Sequence, residues 1–289
     1  AMQRAAAVNP ANLALQESYG RSLIEAGRIT DAYAQFQKIL ARWPRNADAL
    51  VDYGMLAHSL GRDEEAVDNW QRAVDADPGQ PNAQLYLAQA LDQQGELQAA
   101  ARHYRVYLEI IAARHEKNAA DTAPVLAALI KVADADAAIN HTGDASKGYS
   151  AAVAFADKAG DKTLESLALI HLADLQEKQG DIGGAAQSYQ RALRFDAGLS
   201  DPRSTASDWF NYSQFLRKQQ QSERYVFACL LHAENALQNA PGDELTVISQ
   251  AREESEARLG PEASGARRKL DAIVAESLNL QMSAPAATK

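Results

Sequence analysis

The chain has 289 residues, 46% of them hydrophobic, and its 38 acidic side chains outnumber 29 basic ones for a formal net charge of -9. That balance argues against a nucleic-acid backbone as the main partner, because phosphate recognition needs clustered Lys and Arg, and the best such cluster is the short run Arg267-Arg268-Lys269. Cys229 is the only cysteine, which excludes an internal disulfide and a cysteine-based metal site, and no apolar run approaches the roughly 20 residues that cross a bilayer, so no membrane insertion is expected.

Residues 1–12 read as the end of a helix. Met2 to Pro10 aligns with Trp70 to Pro78, and Pro10 stands 34 residues before Pro44. The chain is therefore expected to begin inside a repeat, cut from a longer protein, with Ala1 left over from cloning.

Residues 13–114 carry one pattern three times. Gly27, Gly61 and Gly95 are 34 residues apart; Ala32, Ala66 and Ala100 keep the same step, as do Phe36, Trp70 and Tyr104. Each unit reads as helix, tight corner, helix. Gln16, Tyr19, Gly20 and Leu23 share one face of the first helix, Gly27 ends it, and Pro44 ends the second. Gly20, Gly54 and Ala88 occupy one position, where small residues let the two helices of a unit approach closely. The aromatic at 36, 70 and 104 is expected to fill the space between one unit and the next. A lone unit buries too little to fold, and stacked units share a continuous core.

Ala112 replaces the third closing proline, so the helix before it is expected to run on to about Lys117. A connecting loop follows at 115–123, and the step from Gly95 to Gly143 becomes 48 residues. A change of direction or a joint between sub-arrays is expected there. Residues 124–200 then hold two further units, the first degenerate: helices at 124–140 and 145–159, then 164–179 and 184–195. Residues 201–280 hold degenerate pairs, with a loop at 197–206, helices at 207–219 and 222–239, and a last pair at 243–258 and 261–280. Leu270, Ile273, Val274 and Leu278 form one apolar stripe on that last helix, as a terminal cap requires. Residues 281–289 are low in complexity and expected to be disordered.

The pattern resembles the tetratricopeptide repeat family, whose W-x2-L-G-x2-Y…A-x3-F…P motif is matched over 13–114, with Gln16, Leu50 and Gln84 in place of its first Trp. The resemblance implies an all-α, right-handed superhelical array of antiparallel helix pairs. It also implies an inner groove lined by positions 2, 5, 9 and 12 of each first helix. Here those positions give Glu17, Arg21, Val51, Met55, His58, Asn82, Leu85, Gln89 and Asp92 among others. Val51, Met55 and Leu85 would form an apolar stripe facing away from the core, as partner sites do. The Lys and Asn clamp with which some family members hold chaperone tails is absent: Glu17, Arg21, Asp52, Asn82 and Tyr86 stand there, so a chaperone C-terminus is not an expected ligand.

Catalysis and cofactors are not expected. The six histidines form no H-E-x-x-H, and His232-Ala233-Glu234 lacks the cysteines of a zinc deaminase. The run Gly143 to Gly148 has the wrong order for a phosphate loop. His171 and Asp174, one turn apart, could share a metal or a proton but fit ordinary surface residues better, and Cys229 reads as an inert core thiol. The expected function is a scaffold that holds an extended peptide or a partner helix. An accessory domain that positions substrate for a larger enzyme is the alternative, and an assembly element whose groove takes its own tail or a second copy is a third. Cytoplasm and periplasm both fit.

Overall fold

A computed structural model describes residues 2–114, 121–195, 201–240 and 242–282; the joint at 115–120 and the tail beyond Met282 lie outside the described residues. Among the described residues every regular element is helical. The chain divides into two compact units, residues 1–135 and 136–289.

In the first unit, α1 (Met2–Val8) packs on α2 (Leu13–Glu25). Three pairs follow: α2 with α3 (Ile29–Arg42), α4 (Ala47–Ser59) with α5 (Asp63–Ala76), and α6 (Pro81–Gln93) with α7 (Leu97–Ala113). The corners are equivalent. Gly27, Gly61 and Gly95 have φ of 70°, 73° and 79°, and the amides of Arg28, Arg62 and Glu96 reach back five residues to Leu23, Ala57 and Leu91. That bond satisfies an orphan carbonyl at the helix end, and the left-handed backbone it needs favours glycine. At the other ends Asn12, Asn46 and Gln80 accept from the amides of Leu15, Ala49 and Ala83.

The aromatics meet the next pair as expected, and they also pack within their own pair. A Cβ on Gly20 would stand 2.6 Å from the Phe36 ring, and one on Gly54 would stand 2.5 Å from the Trp70 indole. In the first two pairs the aromatic of the second helix therefore presses on the small residue of its own first helix. Trp70 also reaches onward to Tyr86, with ring centroids 5.5 Å apart. Between pairs, Tyr33 and Tyr53 stack at 4.6 Å, and both hydroxyls meet Glu65. α7 ends at Ala113 rather than running on to 117. α8 (Thr122–Ala138) contributes most of its length to this unit.

The second unit contains α9 (Thr142–Ala159), α10 (Lys162–Lys178), α11 (Ile182–Leu193), α12 (Pro202–Lys218), α13 (Glu223–Ala236), α14 (Asp243–Leu259), α15 (Ala263–Arg268) and α16 (Leu270–Ser277). Gly143 is not a corner here: it lies in the first turn of α9, and the left-handed residue is Asn140 at φ 60°. From Asn140 the corners keep a 40-residue step through Gly180, Gln220 and Gly260, all at positive φ. His141, Asp181 and Gln221 make the same five-residue return bond to Asp136, Gln176 and Leu216. α10, α12 and α14 have 17 residues each, against 13 for α2, α4 and α6, so the longer step reflects longer first helices. α12 begins at Pro202, five residues before the expected start, because Asp201 accepts from the amides of Arg203 and Ser204 and Pro suits the first helical position. The expected single helix at 261–280 is broken at Lys269 into α15 and α16, and α16 packs on α13 through Ile273.

Candidate functional site

The first helices of successive pairs lie side by side in the first unit, with α4 touching α6. α4 is hemmed in on most of its circumference: Ala49, Leu50, Val51, Tyr53, Gly54, Leu56 and Ala57 are all buried. What remains outside is a strip at spacing four, three, four, which is one face of a 3.6-residue helix. On α4 it holds Asp48, the half-buried Asp52, Met55 and Ser59; on α6, Asn82, the half-buried Tyr86, Gln89 and Gln93; on α2, Ala14, Ser18, Arg21 and Glu25.

The expected apolar stripe is thereby corrected. Val51 is 2% exposed and Leu85 7%, both in the core, because neighbouring first helices cover them. Met55, 41% exposed, is the member that reaches the surface. Of the other expected residues, His58, Asn82 and Gln89 are exposed and Asp92 is half-buried, bound to Lys131 at 2.8 Å. Asp52, Tyr86 and Gln93 belong to the open strip although the groove register passed over them. A shift of one residue in that register would have found them.

Met55, His58, Val67, Trp70, Tyr86, Gln89 and Ala90 line a cavity of 350 Å³ between α4, α5 and α6. His58 Nδ1 lies 2.6 Å from Asp63 and its ring tilts over Trp70 at 6.1 Å. Beside the cavity the strip is acidic. Arg21 is paired with Asp52 at 2.9 Å, while Glu17 and Asp48 act on the same groups and Gln80 donates to Asp48 at 3.0 Å. Glu17 Oε1 is buried with no hydrogen-bond partner. Burial pushes the Glu17 and Asp52 carboxyls up, and Arg21 pulls both back. One cation thus faces three carboxylates.

In the second unit His171 stacks on Tyr149 at 5.7 Å, and Asp174 accepts from the Tyr189 hydroxyl, so the pair considered for a metal or proton is engaged with aromatic neighbours. Among the described residues no three His, Cys, Asp or Glu side chains gather as metal ligands, and no helix is long and apolar enough to cross a membrane. Cys229 is buried, and its thiol is pushed up to about 12 by that burial.

These features define an all-α helical repeat protein. The tetratricopeptide repeat family pattern matches residues 19–81 and 64–119. Its fold is similar to that of PilW, a type IV pilus biogenesis factor, at a TM-score of 0.56 and 14% identity over 82% of this chain and 98% of that one. It is also similar to YrrB, described as a TPR protein with an unusual peptide-binding site, at 0.51 and 13% over 74% of this chain and 97% of that one. In sequence, 80 residues are 30% identical to the probable biofilm formation methyltransferase WspC of Pseudomonas putida, covering 28% of this chain. The chain spans about a fifth of that relative's length, 19%. Stacked repeats of this kind serve protein–protein interaction through the surface their helices line.

Proposed function

We propose that the chain is a non-catalytic scaffold that holds an extended polypeptide against the α2–α4–α6 strip of its first unit. The observation that carries this is the juxtaposition of an apolar cavity with an acidic strip. Met55 stands at a 350 Å³ hollow backed by Trp70 and Tyr86, on the same strip of α4 as Asp48 and Asp52. Such a surface takes a segment with one apolar anchor and a basic residue nearby. Exposed Asn82 and Gln89 offer donors and acceptors to its main chain. YrrB, of similar fold and described as having a peptide-binding site, supports peptide binding as a use of this fold.

A panel of peptides pairing Leu or Phe with Lys or Arg, titrated by fluorescence anisotropy, tests the reading. Apolar-basic peptides should bind, their Glu-substituted counterparts should not, and Met55→Glu should weaken binding at least about tenfold with the fold intact. Equal binding of acidic and basic peptides, or no effect of Met55→Glu, would defeat it.

The stretch similar to WspC supports a second reading, a repeat arm that positions substrate for a catalytic domain elsewhere in a larger protein. A coding sequence without an adjoining or co-assembling catalytic domain would remove it.

A further inference from the structure

Three rings from three helices wall the hollow of the first unit: His58 of α4, Trp70 of α5 and Tyr86 of α6, with Met55 beside them. Trp70 is the middle one. Its centroid lies 6.1 Å from that of His58 at an interplanar angle of 54°, and 5.5 Å from that of Tyr86 at 39°. Rings inclined in this way offer a further ring edge-to-face contacts, the geometry that aromatic pairs prefer at centroid separations of about 5 to 7 Å. Two walls are also fixed in advance. Trp70 is set against Gly54, and Asp63 Oδ1 lies 2.6 Å from His58 Nδ1. An entering ring therefore orders little that is not already ordered.

The charge lies one helix away. Glu17 and Arg21 belong to α2, Asp48 and Asp52 to α4, so these groups gather where α2 meets α4, while the hollow opens where α4 meets α6. Asp52 stands between the two places. It acts on Glu17 on one side and on the other side on the Tyr86 phenol, which burial and then this charge hold above its usual value. Packed helices stand about 8 to 10 Å apart. A polyproline II chain has three residues per turn and rises about 3.1 Å per residue, so residues three apart share a face at about 9 Å. A β-strand puts residues two or four apart on one face, at about 7 or 13 Å, and fits that step less well.

We propose, on the footing of the peptide-binding reading above, that the side chain seated in the hollow is aromatic and that a basic residue three positions away reaches the α2–α4 carboxylates. The partner segment crosses α4 in the polyproline II conformation and sets one residue in three on each helix.

The test uses the whole chain and fluorescein-labelled nonapeptides of Ala, Pro and Gln that carry one Phe and one Arg. Arg is placed two, three, four or five positions from Phe, before it or after it. In one of the two orders affinity should peak at three, about threefold or more above the other spacings. Replacing Phe by cyclohexylalanine, of similar size but without a π-face, should weaken binding about threefold or more. In Tyr86→Leu and in His58→Leu, which keep an apolar wall and remove a ring, the advantage of Phe should shrink, while retained binding of the cyclohexylalanine peptide shows the fold and the hollow intact. Equal binding of the Phe and cyclohexylalanine peptides, or affinity that ignores the spacing, overturns the aromatic anchor and its partner motif and leaves the peptide-binding reading standing. Failure of every peptide to bind overturns both.

Discussion

Arg21 Nε donates to Asp52 Oδ2 across 2.9 Å, tying α2 to α4 over the open strip of the first unit. Arg21 is half exposed while Asp52 is largely buried, so the bond matters more to the charge of the strip than to folding.

Arg21→Ala should therefore change stability by less than about 1 kcal/mol. It should leave three carboxylates without their cation and drive the Asp52 carboxyl further up, since Arg21 is what pulls it down. A basic peptide should bind more tightly, with a steeper fall as salt is added. Titrations at two ionic strengths check this; unchanged affinity would place basic partners elsewhere.

Three glycines should respond differently to alanine. Gly54→Ala drives a Cβ into the Trp70 indole and should cost about 1 to 3 kcal/mol by overpacking. Gly61→Ala meets no atom within 4 Å but holds φ 73°, and should cost about 1 kcal/mol through backbone strain. Gly143→Ala, helical and in open space, should be neutral or stabilise by a few tenths of a kcal/mol. Urea unfolding of the three variants gives the order.

Val51→Ser should destabilise by about 2 to 3 kcal/mol, since it buries a hydroxyl and opens a void in the core. Met55→Ser should cost under about 1 kcal/mol and act on partner affinity instead. Equal losses of stability would put Met55 in the core and remove the cavity's apolar anchor.

Asp208 supplies a pH test in the second unit. It is 9% exposed, burial pushes its carboxyl up to about 6, Ser166 donates to it at 3.0 Å and lowers it, Asp174 raises it and His171 lowers it. Its folded value lies above the unfolded 3.8, so the folded chain holds this proton more tightly. The resulting stability is complete below about pH 4 and is lost as pH rises through about 6. Asp208→Asn keeps an acceptor for Ser166 and escapes the loss. It should match the parent chain near pH 4 and exceed it by about 2 to 3 kcal/mol at pH 8, as measured by urea unfolding.

The sequence alone determined the repeat. A left-handed corner, a small residue under an aromatic, and a proline after the last turn are demands of local backbone and of contacts within some twenty residues, so Gly27, Gly54 and Trp70 carry them openly. Tertiary structure decided the rest. Asn140 and Gln220 take corners where glycine would have been the signal, because stacking holds the backbone where propensity alone would not. Val51 and Leu85 look like groove residues on an isolated helix and are core residues once α2, α4 and α6 lie side by side, since burial is set by neighbours a whole repeat away. The hold of Tyr212, Gln190 and Arg194 on residues 277–280 spans 65 or more positions, and no periodicity in a chain announces a contact of that range.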